Sequence, residues 1–332
     1  MSIKMNNKIF PEVGLGCMGM SEFYGDTNDA ASLLTLQRSY DIGYRHYDTA
    51  DMYGHGKNEL LLGQFIKKLG KKRGNIHLAS KVGIQRDTND KYNLILDGSR
   101  SYIHKSCDDS LKRLGTDYLD LYYLHRKDPN ITLEESLSSI KELIDSGKVK
   151  AAGLCEVSPE TLREANKTLK ISAIQSEYSL WTRDIEDEIM PLCKELDITI
   201  VAFSPMGRGF LTGKVTKQYM NTAVSDKDFR TKLPRFNGDN YDNNIKLVNK
   251  INDISASLDI KTSQLALAWI LSKSDNIVVI PGTKQEKYLL ENFESKNIKL
   301  DNDIIREVES TFNKDSISGD RYPESILKKS NT

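Results

Sequence analysis

Short strand-forming runs alternate with longer helical patterns along almost the whole chain. That alternation most narrows what the chain can fold into. The strand candidates are Arg45–Thr49, Ile76–Lys81, Leu119–Leu124, Ala151–Leu154, Ala173–Ser176, Thr199–Phe203 and Ile277–Ile280. Helical patterns lie between them. In Asp29–Tyr40, apolar residues recur near a 3.6-residue period. Ser99–Leu114 is followed by Gly115, and Leu133–Asp145 by Ser146-Gly147, glycines that suit a helix end. Ser158-Pro159 supplies a cap and a proline at the first helical position. Strand followed by helix, repeated, implies parallel βαβ units. Seven strands are legible, and an eighth fits in the N-terminal region. No linker or composition shift divides the 332 residues. The fold expected is therefore α/β, a single (β/α)8 TIM barrel over residues 1–332 with long substrate loops. A doubly wound sheet is the alternative.

Two stretches break the rhythm. Residues 206–244 are polar and rich in Gly, Asp and Asn, and are read as a long cofactor or substrate loop. Residues 313–332 show little periodicity and are read as a disordered tail.

Composition excludes several classes. Lys+Arg and Asp+Glu are each 47, so no nucleic-acid partner is expected from net charge. The longest apolar stretch, Leu265–Leu271, falls far short of the roughly 20 residues that span a bilayer, so no membrane partner is expected either. The start of the chain lacks the apolar run of a secretory signal. Four dispersed cysteines form no CxxC pair, and the five histidines show no metal-ligand spacing. A cytoplasmic protein with no bound metal is expected. The oligomeric state is left open, with a homo-oligomer compatible.

Gly14 to Gly19 reads literally as GxGxxG. A dinucleotide fingerprint must open a helix directly, and here Met20–Asn28 intervenes. The run is better read as a glycine-rich turn near the barrel mouth. Gly207-Arg208-Gly209 and Gly213-Lys214 fail the P-loop spacing. Two readings stay open there, a glycine-rich backbone that wraps a pyrophosphate with Arg208 and Lys214 and a flexible loop with solvated cations.

Three ionisable residues recur at one topological position. Asp48 ends RHYDT, Lys81 ends HLASK and His125 ends LDLYYLH, while Tyr53 follows Asp48 in ADMYGHG. In an α/β barrel, C-terminal strand ends converge on the mouth that carries the active site. A lysine ammonium near a phenol favours phenolate and is expected to lower the tyrosine pKa. An aspartate would fix the lysine, and a histidine would orient a carbonyl. Such a set can protonate an oxygen as hydride reaches carbon.

The motifs DTADMYGHGKNE, LASKVG, LDLYYLHR, IQSEYSLW, AFSPMGRGFLTGK and IPGTKQEKYLLEN together resemble the aldo-keto reductase family from Gly14 to Asn292. DFRTKLPRF is similar to its bacterial and plant branch of aldehyde and ketone reductases. The resemblance implies NADPH-dependent reduction of a small carbonyl compound. It also implies a catalytic tetrad of Asp48, Tyr53, Lys81 and His125, with Tyr53 as the general acid. Carried over by motif, Gln175 and Cys155 hold the carboxamide and Phe203 stacks on the nicotinamide. Ser204, Pro205, Met206, Gly207 and Gly209 follow the pyrophosphate. Gly282, Thr283, Lys284, Tyr288 and Asn292 meet the adenosine end, with Lys284 on the 2′-phosphate of NADPH/NADP+. Tyr24, Met52 and Arg126 are the substrate-pocket candidates. Cys155 stands where the family usually has Ser, and its weaker hydrogen bonding implies a looser carboxamide contact. Some members of the family are cofactor-sensing regulatory subunits with little turnover, which is the alternative function. A phosphate-handling isomerase or lyase on the same fold is a third.

Overall fold

The computed structural model describes residues 2–5, 8–87, 93–224 and 227–327. An N-terminal hairpin of β1 (Ser2–Met5) and β2 (Lys8–Pro11) precedes the barrel. The barrel strands are β3 (Leu15–Gly16), β4 (His46–Asp48), β5 (His77–Val82), β8 (Leu121–Leu124), β9 (Ala152–Cys155), β10 (Ile171–Glu177), β11 (Thr199–Phe203) and β12 (Ile277–Val279). A second hairpin, β6 (Ile84–Arg86) with β7 (Leu94–Leu96), leaves the end of β5. The eight barrel strands pair in parallel in chain order. Backbone hydrogen bonds from Gly14 N to Val279 O and from Val279 N to Glu12 O, both 2.9 Å, join the last strand to the first.

Seven of these strands coincide with the β-branched and aromatic runs of the sequence. The eighth, β3, lies inside the GxGxxG run, where no side-chain alternation marks it. Its glycine has a packing reason: a Cβ on Gly16 would lie 2.7 Å from the Ile280 carbonyl oxygen. The strand passes its neighbour too closely for a side chain, so the glycines serve barrel closure rather than a dinucleotide loop.

Helices α1 (Asp29–Ile42), α2 (Lys57–Leu69), α3 (Arg100–Leu114), α4 (Leu133–Asp145), α5 (Pro159–Thr168) and α6 (Ile189–Leu196) cover the strands outside. Their starts follow the sequence cues. Asn28, Ser99, Thr132 and Ser158 each accept a hydrogen bond from a first-turn backbone N–H. Gly115 ends α3 in a left-handed turn at φ 62°. Between β11 and β12 come α7 (Lys217–Thr222), α8 (Gly238–Ser257) and α9 (Thr262–Ser272). The apolar run Leu265–Ile270 is buried in α9, a core helix. No helix among the described residues is long and apolar enough to cross a membrane. After β12 follow α10 (Glu286–Glu294), α11 (Asn302–Thr311) and the short α12 (Glu324–Leu327).

The aperiodic stretch 206–244 holds three short 3-10 turns, at Gly207–Thr212, Phe229–Lys232 and Pro234–Phe236, besides the short α7 and the start of α8. Such turns carry no 3.6-residue signal. An aromatic cluster holds them, with Phe210 4.9 Å from Trp181 and 5.3 Å from both Phe236 and Tyr241, centroid to centroid. The described part of the tail, 313–327, is likewise placed by single contacts, including an ion pair from Arg321 to Glu156 at 2.8 Å. Residues 328–332 lie outside the described residues.

The core has two shells. One lies between strands and helices. The other fills the barrel with Ala79, Leu121, Tyr123, Cys155, Ala173, Val201 and Val278, and the hairpin residues Ile3, Met5 and Phe10 pack against it. The barrel interior is thus filled with side chains, as in barrels whose ligands bind at the mouth.

Candidate active site

β4 and β5 place Asp48 and Lys81 side by side at their C-terminal ends. The Lys81 ammonium donates to Asp48 Oδ1 at 2.5 Å, to the Thr49 carbonyl at 2.8 Å and to Tyr53 Oη at 3.0 Å. Its three donors are matched by three acceptors. Because Tyr53 Oη accepts from the ammonium, the phenol hydrogen remains free to be donated elsewhere. Gln175 Nε2 donates to Asp48 Oδ2 at 2.7 Å, so both carboxylate oxygens are engaged. The His125 ring stands edge-on to Tyr53 at 6.0 Å between centroids. The four residues read from strand ends and the following loop therefore meet at one place.

Tyr53 reaches Lys81 through a tight turn. Gly54, His55 and Gly56 all have positive φ, at 56°, 54° and 82°. Gly56 suits this conformation, and a Cβ there would lie 2.8 Å from Arg113 Cδ and push that side chain aside. Asn58 ties the turn down, accepting from Thr49 Oγ1 at 2.7 Å and donating to the Cys17 carbonyl at 2.9 Å. Buried Glu59 takes Ser80 Oγ at 2.6 Å and Arg113 Nε at 2.7 Å. The sequence YGHGKNE encodes both the turn and its anchors.

Burial sets the protonation states. It raises the Tyr53 pKa to about 12; the pull of Lys81 downward is smaller, and Asp48 opposes it. The phenol is more firmly protonated than a lysine neighbour alone predicts, because desolvation outweighs the ammonium. For Lys81, burial opposes the charge, but Asp48 and Tyr53 outweigh it and hold the pKa above its ordinary value. Burial, then Lys81 and Arg126, press His125 well below the usual histidine range, leaving a neutral ring. Burial lifts the Cys155 thiol to about 12, so it is no nucleophile at neutral pH.

A cavity of about 440 Å³ opens over this group. Asp48, Tyr53, His125, Cys155 and Gln175 line it together with Phe203, Ser204, Pro205, Met206, Gly209, Gly282, Thr283, Lys284 and Tyr288. The substrate candidates Tyr24, Met52 and Arg126 line it as well. Lys81 lies behind Tyr53, fully buried. Gly207 and Asn292 are not on the wall. Gly207 packs against Trp181, whose ring a Cβ would approach to 2.7 Å, and Asn292 is buried in α10. Among the described residues, no group of three or more His, Cys, Asp or Glu side chains is placed to hold a metal ion.

A family model described as the aldo/keto reductase family matches residues 12–312. The chain belongs to the aldo/keto reductase family. The aldo-keto reductase yakc [NADP(+)] of Schizosaccharomyces pombe is 38% identical over 96% of this chain and 94% of its own length. A probable aldo-keto reductase of Glycine max is 39% identical over 94% of this chain and 88% of its own. Among solved structures, an aldo-keto reductase from Bacillus halodurans in its holo form superposes with a TM-score of 0.76 at 25% identity, covering 94% of this chain and 96% of that one. A glycerol dehydrogenase from Gluconobacter oxydans gives 0.83 at 23% identity, covering 93% and 94%, which speaks for the fold alone.

This aldo/keto reductase barrel also holds cavity residues that the sequence offered only within longer candidate segments or, for Arg208, as a possible pyrophosphate cation. Arg208, at φ 57°, turns a largely buried side chain into the cavity wall; it donates to Tyr24 Oη at 3.1 Å and Glu177 Oε2 at 3.2 Å, and also to Tyr322 Oη. Arg230 is clamped on Asp228 and donates to the Arg208 carbonyl at 3.2 Å. Tyr322 brings the tail into the wall. Lys284 donates to the carbonyls of Tyr24 and Asp26 at 2.7 and 2.8 Å, so Tyr24 sits between Arg208 and Lys284. GRG and DFRTKLPRF held two of these arginines in plain view, but the tail residue carried no motif. Backbone strain collects here too, with Phe23, Ser204 and Arg208 at φ 71°, 49° and 57°.

Proposed function

We propose that the protein is an NADPH-dependent carbonyl reductase in which Tyr53 protonates the carbonyl oxygen. The observation that carries this is the Lys81 ammonium donating into Tyr53 Oη at 3.0 Å beside an open cavity. The cofactor is inferred from the yakc relative's name and from the fit of the cavity. That cavity contains a Lys284 ammonium with no carboxylate partner among the described residues, suited to the 2′-phosphate. Gln175 donates to Asp48 through Nε2 and keeps its carbonyl for the carboxamide, with Cys155 beside it. Phe203 offers the ring face, the 204–209 turn the pyrophosphate contacts, and Gly282 to Tyr288 the adenosine contacts. The sequence expectations for Gly207 and Asn292 are retained as supports of that wall.

The bound cofactor supplies hydride to the carbonyl carbon. Neutral His125 orients the carbonyl oxygen. Tyr53 donates its phenol proton to that oxygen, and the product is the alcohol. Lys81 then stabilises the phenolate, and Asp48 keeps the lysine charged. With its pKa raised to about 12, Tyr53 is protonated at neutral pH and so carries the proton that reduction requires.

The test follows NADPH consumption by absorbance over a panel of aldehydes, with the alcohol products identified and NADH run in parallel. Turnover with NADPH preferred is expected, and Lys284→Ala narrows that preference. Tight NADPH retention without turnover of any aldehyde would instead indicate a cofactor-sensing subunit.

A further inference from the structure

Five cationic side chains line the cavity: Arg86, Arg126, Arg208, Arg230 and Lys284. Three are neutralised within the fold, Arg86 by Glu22, Arg208 by Glu177 and Arg230 by Asp228. Lys284 is spoken for by backbone carbonyls and by the 2′-phosphate assigned above. Arg126 differs from all of them. It is 9% exposed, and its hydrogen bond among the described residues runs from one terminal nitrogen to the carbonyl of its neighbour His125, at 2.7 Å. Its Nε is buried without a partner, and no carboxylate of the described residues lies within 4.0 Å of the guanidinium. A desolvated charge left in this state is costly, and an anion arriving with a ligand would remove the cost.

Position says which ligand. Arg126 directly follows His125 at the end of β8, at the corner where the carbonyl is expected to react. Met52, Tyr53 and Ile84 form an apolar cluster beside that corner, with Met18 and Leu94 packed on it. Apolar wall and guanidinium together suit a molecule with a hydrocarbon body and a carboxylate, which the planar guanidinium can grip with two parallel hydrogen bonds. We propose that Arg126 is the carboxylate anchor of the substrate pocket and that the preferred substrates are oxo acids. The inference rests on the reductase reading for its reacting corner.

The experiment compares kcat/KM for succinic semialdehyde over butanal and for carboxybenzaldehyde over tolualdehyde. In the wild type the acid is favoured about tenfold or more, mainly through KM. Arg126→Met brings the ratio to about one, and Arg126→Lys, which keeps the charge without the fork, retains part of it. Calorimetry with benzoate on the NADP+-loaded protein gives a readout without turnover: binding weakens about tenfold in Arg126→Met, while the NADPH Kd does not rise in step. A wild-type ratio near one, or a ratio unmoved by Arg126→Met, overturns the proposal. So does an NADPH Kd that rises as much as the benzoate Kd, because the anion would then be a cofactor phosphate. If no aldehyde is reduced yet benzoate binding still depends on Arg126, the reductase reading fails and the anchor stands.

Discussion

β4 and β5 each carry two inward-facing polar groups, one at either end of the barrel, and the two ends treat them differently. At the mouth, Asp48 and Lys81 form a charged pair, both buried, with Tyr53 and a cavity beside them. At the bottom, His46 and His77 face each other, Nδ1 to Nδ1 at 2.9 Å, with Phe10 of the hairpin stacked on His46 at 5.3 Å and tilted against His77 at 4.7 Å. Burial lowers the pKa of both rings, His46 to about 4 and His77 well below its ordinary value. One end is therefore charged and open, the other neutral and plugged. Two buried polar groups on adjacent strands do not make a site. Access and a free proton donor do, and only the mouth has both.

The sharpest way to break the comparison is to remove one partner at each end. Lys81→Met leaves Asp48 buried and unpaired, a loss of about 3–5 kcal/mol, and it also strips Tyr53 of its ammonium. Chemical denaturation should show the stability loss, and carbonyl reduction should fall by at least a hundredfold. Acid comes next. Folding favours neutral His46, so this contribution is complete above the free-histidine pKa of 6.5 and disappears as the pH falls toward about 4, on the order of 3 kcal/mol in the limit. Melting temperature measured downward from pH 8 should drop across that window, and the drop should shrink when both histidines are replaced by leucine. The smallest effect is His77→Leu alone, about 1–3 kcal/mol from the orphaned His46 nitrogen, with carbonyl reduction retained. Equal losses of turnover in His77→Leu and Lys81→Met would erase the distinction between the two ends.

The barrel was legible because parallel strands buried on both faces are written as short continuous β-branched and aromatic runs. Its weakest strand, Leu15–Gly16, was not, because two residues chosen for closeness leave no pattern. Asp48, Lys81 and His125 were legible for a related reason: each is the polar residue that stops an apolar strand. Tyr53 needed the loop motif. The direction of its pKa was misread, since sequence spacing shows a neighbouring lysine but not the desolvation that outweighs it. Arg208, Arg230 and Tyr322 converge on the mouth from segments more than twenty residues apart, and aperiodic turns hide such a meeting.

The phenol proton is best tested by single-turnover reduction with Tyr53→Phe, which keeps the ring and removes the proton. The variant should bind NADPH with a Kd within about twofold of wild type and transfer hydride about a thousandfold more slowly, within the usual span of a general acid. A transfer rate within about threefold of wild type would contradict Tyr53 as the proton donor.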